Sequence, residues 1–450
     1  MRKIPFLLAF VSLMIPTLTL AQMFSPEVLP LRNQAELRDS WLLKRLDSIV
    51  PSLMQRENID MWLIIASEYN EDPVIRTMLP ATWMAARRTT ILVFATNVEN
   101  GLVERIAVAR YDIGRFFKSA WNPDLEPDQF KRLAAIVQSY EPKKIGINIS
   151  DDYSHANGLT HNEYLSLVDA LGAEYSGKLV SAERLAVGWL ETRTQEEIAA
   201  YQIVNRIAHS IIEEGLSENV IVPGHTTTKD LEWWYRERIQ SYGLKAWFHP
   251  SVDVQRATRE DMVGQSFASR PGEDVIMPGD LVHMDLGITY LGLNTDTQRN
   301  AYILKPGETE PPKGLQEAFK RGNRLQDILT GNFVTGRTGN QILKMSLDQA
   351  KAEGLRPSIY THPIGYHGHA AGPTIGMWDK QGGVPGSGDY PLYPNTAYAI
   401  ELNVTESIPE WGNMDVRIML EENAWFDGVQ VRYIDGRRTE LILVPRPIRN

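Results

Sequence analysis

The 450-residue sequence contains no cysteine. Disulfides, zinc–thiolate sites, iron–sulfur clusters and a cysteine nucleophile are therefore excluded, and any metal centre must be built from His, Asp and Glu. A basic tract is also missing. Lys and Arg number 46 against 56 Asp and Glu, a formal net charge of −10, which argues against binding a nucleic-acid backbone. No G-x-G-x-x-G fingerprint follows any strand-like run, so a dinucleotide site is not expected. Beyond the N-terminus no apolar stretch is long enough to span a bilayer. What is present is ordinary: 43% hydrophobic and 23% charged residues, within the globular range. At about 150 residues per domain the length suggests two to three domains.

Arg2 and Lys3 precede a mainly apolar stretch, residues 4–20, and the small residues Thr19 and Ala21 precede Gln22. This layout predicts a secretory signal peptide, residues 1–21, cleaved after Ala21. Pro16 and the short apolar core argue against a membrane anchor. The expectation is a secreted or periplasmic protein with no stable membrane anchor after processing.

Residues 22–185 alternate helix-like and strand-like stretches. Helical spacing over residues 41–55 places Leu42, Leu46, Ile49, Val50 and Leu53 on one face. The continuous apolar run at 61–66 predicts a strand buried on both faces, as do 91–95, 106–109 and 145–149. Residues 127–140 predict another helix. This part reads as an α/β domain. A second domain, residues 186–450, opens with a capping box, Thr194 and Glu197, and Gly215 is the expected C-cap of its helix. Helices from Thr228, at 315–329 and at 341–352 accompany strands at 281–286 and 300–304 and a strand-rich remainder. Helices segregated from antiparallel strands predict an α+β class.

Four clusters carry chemistry. In 283-HMDLGITYLGLNTDTQRNAYIL-304, Asp285 ends an apolar strand and Asp296 begins the return strand. A hairpin with tight turns at Gly287 and Gly292 would set the two carboxylates side by side, where they repel unless a cation lies between them. Alone, they fit turn-capping aspartates equally well. In 360-YTHPIGYHGHAAGP-373, His362, His367 and His369 fall within a glycine-rich bend between strands. Glu401 interrupts the apolar strand 398-YAIELNV-404, and a buried carboxylate needs a partner. Glu421 and Glu422 follow another apolar strand in 416-VRIMLEENAWF-426. Carboxylates with one or two imidazoles suit manganese, with cobalt or zinc as alternatives. Bridging carboxylates commonly hold two such ions about 3.5–4 Å apart.

These motifs resemble the pita-bread metallopeptidases: aminopeptidase P, prolidase, methionine aminopeptidase and the related creatinase. Asp285-Leu286-Gly287 and, eleven residues after Asp285, Asp296-Thr297-Gln298-Arg299 match the family's D-x-G…D-x-T-R. His362 to His369 matches H-x-x-G-x-x-x-H. Glu401 and Glu421, with Glu422 as the second choice, match the two late glutamates. The resemblance covers nearly the whole mature chain and implies a creatinase-type N-terminal domain before a pita-bread catalytic domain.

The resemblance further implies two divalent ions on Asp285, Asp296, His362, Glu401 and Glu421. Glu401 would double as general base, and His369 would contact the substrate. Cleavage of peptides beside proline follows, as an Xaa-Pro aminopeptidase or dipeptidase, and a homodimer is a family expectation. Hydrolysis of another amide or ester, or a catalytically inactive binding protein, are the alternatives. Three departures stand out: residues 262–280 hold no histidine, Ala370 replaces an acid, and Gln298 stands where threonine is usual. His249 and His283 are not clean substitutes for the missing histidine. The departures are expected to touch the substrate side more than the metal side.

Overall fold

The computed structural model describes residues 27–257 and 272–446. The expected signal peptide and residues 262–271 lie outside the described residues. No helix among the described residues is long and apolar enough to cross a membrane.

The first unit carries helices α1 (Leu31–Glu57), α2 (Gln129–Tyr140), α3 (His161–Ser176) and α4 (Glu183–Glu191). Its strands are β1 (Met61–Ser67), β2 (Thr89–Thr96), β3 (Val103–Val108), β4 (Lys118–Ser119), β5 (Ile145–Ile147) and β6 (Leu179–Ser181). They form one mixed sheet in the order β4-β3-β2-β1-β5-β6. The apolar run of β1 is buried on both faces, as its composition requires. Trp62 and Ile64 pack with Leu42, Leu46 and Val50 of α1, whereas Leu63 and Ile65 pack with Leu133 of α2 and Leu167 of α3. The N-cap of α2 is Asp128, which accepts from Phe130 and Lys131 N–H, so Pro127 lies just outside the helix.

The second unit starts with α5 (Gln195–Gly215) and α6 (Thr228–Ser241). The Thr194–Glu197 capping box forms as expected. Gly215 is the last helical residue rather than the cap. It lies against Tyr235, whose ring a Cβ there would meet at 2.4 Å. Then come β7 (Lys245–Ala246), β8 (Ser251–Gln255), β9 (Leu281–Leu286), β10 (Ile288–Tyr290), β11 (Leu293–Asn294), β12 (Thr297–Ile303), α7 (Lys313–Gly331) and α8 (Gly339–Ala352). The chain ends with β13 (Pro357–Ile359), β14 (His362–Pro363), β15 (Thr396–Ile408), β16 (Met414–Phe426), β17 (Val431–Tyr433) and β18 (Ile442–Val444).

The main sheet runs β13-β15-β16-β12-β9-β8, with β14 on β15, β17 on β16 and β18 on β12. Side chains alternate between its faces. Val282, Met284 and Leu286 of β9 pack toward α5 and α6. Ile400 and Leu402 of β15 and Ile418 and Leu420 of β16 pack toward α7 and α8. Asp285, Glu401 and Glu421, one residue out of phase, occupy the opposite face. Helices on one face of a largely antiparallel sheet make this an α+β fold of the pita-bread type.

The Asp285–Asp296 connection is not the simple hairpin expected. Strands β9 and β12 do pair antiparallel, but β10 and β11 turn aside between them into a separate three-stranded sheet with β7. Gly292 has φ +80° and serves the turn. Gly287 has no positive φ; a Cβ there would lie 2.1 Å from the Trp247 indole nitrogen. Its role is close packing rather than turning.

Candidate metal centre

Four side chains form one row across four neighbouring strands. Asp285 of β9 pairs with Gln298 of β12, Gln298 with Glu421 of β16, and Glu421 with Glu401 of β15. Directly paired residues share a face of the sheet, so all four project together. Asp296 joins from two residues before Gln298. Its N–H donates to Asn423 Oδ1 at 3.1 Å, and the Asn423 amide donates to the Asp296 carbonyl. His362 enters from β14, opposite Ala399 and thus beside Glu401.

His362 shows what this arrangement is suited to hold. Its Nδ1 lies 2.9 Å from the Pro363 carbonyl, to which it donates, leaving Nε2 as a bare lone pair. That nitrogen faces Asp296 at 3.6 Å, Glu421 at 3.7 Å and Glu401 at 3.8 Å. These are too long for hydrogen bonds. Burial lowers the pKa of His362, which keeps the imidazole neutral. Asp285 Oδ1, Asp296 Oδ1, His362 Nε2 and both Glu421 oxygens are buried without a hydrogen-bond partner.

Burial, then the Glu421 charge, pushes Asp285 up to about 8, and burial pushes Glu421 up to about 8. Asp296 and Glu401 are likewise raised by burial and by neighbouring carboxylates. Acceptor-only atoms converging in this way fit divalent cations. Asp285, Asp296 and Glu421 form one possible donor set, His362, Glu401 and Glu421 a second, and Asp296, His362 and His369 a third. The first two share Glu421.

Glu422 lies on the other face. It pairs with Arg299 at 2.9 Å and accepts from Arg438 N–H at 3.0 Å. Of the two candidates, only Glu421 is in the cluster. His369 stands at the exposed rim, its ring 4.8 Å from His362 and 5.2 Å from Trp247. Burial and His362 lower it to about 4. His367, to which no role is assigned, turns away and packs 4.6 Å from His155 of the first unit.

Trp247 is wedged between two glycines. A Cβ on Gly287 or Gly368 would meet it at 2.1 or 2.3 Å, and its indole N–H donates to the Thr295 carbonyl at 2.7 Å. The histidine bend is anchored from behind. Tyr366 O–H donates to Glu197 at 2.7 Å, and the Arg193 guanidinium lies 4.2 Å from the Tyr366 ring centre.

The Gln298 departure falls on the metal side, contrary to expectation. Its amide N–H donates to Glu401 Oε1 while its carbonyl faces His283 Nε2 at 3.0 Å. His283 Nδ1 lies 2.9 Å from Asp253. Burial alone would lower His283, but Asp253 outweighs it and raises its pKa. Asp253, Trp247 and this role of His283 went unread in the sequence. Alternation along β9 was the available signal, since it puts His283 on the face of Asp285.

The fold matches solved structures over most of their length. The X-Pro aminopeptidase of Thermotoga maritima aligns with a TM-score of 0.60 at 16% identity, over 87% of this chain and 99% of its own. The Xaa-Pro dipeptidase of Bacillus anthracis gives 0.60 at 19% identity, over 92% and 100%. A prolidase from Pyrococcus horikoshii gives 0.56 at 13%, over 91% and 100%. A comparison with curated protein sequences gave no match. Residues 164–432 match the model of metallopeptidase family M24, a span that holds every member of the carboxylate and histidine cluster, and the chain belongs to that family.

Proposed function

We propose that this metallopeptidase is an exopeptidase of the Xaa-Pro aminopeptidase or dipeptidase type, secreted or periplasmic, with a two-ion centre. The observation that carries the reading is the bare His362 Nε2 facing three carboxylates. Asp285, Asp296, His362, Glu401 and Glu421 would hold the ions, manganese first, with zinc or cobalt as alternatives. When bound, such ions polarise the scissile carbonyl and lower the pKa of a water.

The chain's own side chains supply the rest. Glu401 accepts the proton of the attacking water. His369, neutral and at the rim, donates to the carbonyl oxygen as charge develops on it. Trp247 beside His369 offers a flat apolar wall for a pyrrolidine ring. The names borne by the Thermotoga and Bacillus proteins of this fold support the proline preference. The N-terminal charge and apolar pattern supports export, and family likeness supports a homodimer.

Hydrolysis of another amide or ester is the second reading. It is favoured by Ala370 in place of an acid and by the absence of histidine from residues 262–280. The test is a panel of Xaa-Pro peptides and their Xaa-Ala counterparts, assayed with manganese. Faster turnover of the proline peptides is expected. Equal rates, or activity confined to non-peptide amides, would move the assignment to the second reading. No turnover of any amide or ester would leave a binding protein.

A further inference from the structure

Gln298 is the uncharged member of the row, between Asp285 and Glu421, and is 2% exposed. Both ends of its amide are engaged. An ionised Glu401 can only accept, so the amide must turn its NH2 group toward Oε1. The amide oxygen is thereby aimed at His283 Nε2, 3.0 Å away. His283 is itself held at 2.9 Å by Asp253, its direct partner on β8. Side chains from β8, β9 and β12 thus form a hydrogen-bonded chain. It ends on Glu401 of β15, a strand with which none of the three pairs.

The consequence for Glu401 is asymmetric. Oε1 is engaged by Gln298, while Oε2 faces His362 Nε2 at 3.8 Å. Glu421, by contrast, keeps both oxygens free of hydrogen bonds. We propose that Gln298, oriented by His283 and Asp253, is a positioning residue that reserves Glu401 Oε1, so that Glu401 meets a divalent cation through Oε2 alone. A threonine at this position would be too short to bridge His283 and Glu401. This inference rests on the metal centre of the proposed function but not on its peptide substrate.

The test compares wild type with Gln298→Leu, Gln298→Thr, His283→Phe and the Gln298→Leu, His283→Phe double variant, each loaded with cobalt. The visible absorption of cobalt reports ligand number and geometry without turnover. All variants should bind cobalt at the wild-type stoichiometry. Both Gln298 variants should shift the visible bands, because Oε1 becomes available to the ion; if one fails to fold, the other carries the test. With a cleaved peptide, kcat should fall about 10–100-fold with KM within about threefold. The double variant should be no worse than Gln298→Leu, since both changes break one chain.

An unchanged cobalt spectrum in the Gln298 variants would overturn the proposal. So would additive losses in the double variant, which would make His283 and Gln298 independent. If wild type cleaves no peptide, the cobalt spectra still decide this inference, while the substrate reading alone falls.

Discussion

Arg45 of α1 donates to Glu197 Oε2 at 2.9 Å across 152 sequence positions, and neither side chain is exposed. Glu197 also closes the cap of α5 by accepting from Thr194 N–H at 2.7 Å, and it accepts from Tyr366 in the histidine bend. Burial would raise its pKa, but Arg193 and Arg45 bring it down. One carboxylate therefore joins the first helix, the start of the second unit and the bend that follows His362.

Removing that charge leaves two buried guanidinium groups without compensation. Glu197→Gln should cost about 3–5 kcal/mol, the range for breaking a buried pair by deleting one partner. Arg45→Met combined with Glu197→Gln should recover part of the loss. Denaturant midpoints measure both. A midpoint unchanged in Glu197→Gln would show that the pair contributes nothing to stability.

Neighbouring glutamates on β16 should separate cleanly. Glu421→Gln should reduce bound metal, because Glu421 is common to two of the donor sets. Glu422→Gln should keep its metal and lose stability, because it strands Arg299. Elemental analysis of the two purified variants is decisive, and the reverse pattern would place the wrong glutamate in the centre.

The three histidines of the bend should behave differently. His362→Ala should weaken metal binding directly. His369→Ala should keep its metal and lose turnover by about 10²–10³, the typical worth of a donor aimed at a developing oxyanion. His367→Ala should change neither. Bound metal and turnover for the three variants check this. If His369→Ala emptied the centre while His362→Ala stayed loaded, the register of the motif would be wrong.

Chelation should make stability depend on pH. In the metal-free protein Asp285 and Glu421 are raised to about 8, against roughly 4 for unfolded carboxylates. The folded state then binds more protons than the unfolded one. Its advantage is full below about pH 4 and is lost as pH rises through about 8. The unfolding midpoint of chelated protein should fall across that window. The gain from added manganese should grow across it, because ligands bind as carboxylates. Parallel midpoints with and without metal at every pH would contradict the shared-site account.

Local signals were legible in the sequence, and long-range ones were not. The capping box of Thr194 and Glu197, the doubly buried run of β1 and the spacing from Asp285 to Asp296 each lie within a dozen residues. The choice between Glu421 and Glu422 was not decidable that way. It depends on which residue of β16 opposes Gln298, and cross-strand register is a tertiary fact. Gln298 reaches Glu401 over 103 positions, so its place among the metal-side groups had no local signature. Gly287 was legible as a glycine but not for its reason, since Trp247 lies 40 positions earlier.

Because Asp285, Gln298, Glu421 and Glu401 share one row, their separations follow the strand spacing of about 4.7–4.9 Å rather than the lengths of the connecting loops. Segments such as the β10–β11 excursion can therefore be lengthened, shortened or exchanged without retuning the distances between these groups. A frameshift of a single residue within β15 or β16 is a different matter. It would carry a carboxylate through the sheet to the helix-covered side. Variation in this protein is thus channelled: the connections are permissive ground for new substrate contacts, and the paired strands admit almost no insertion or deletion.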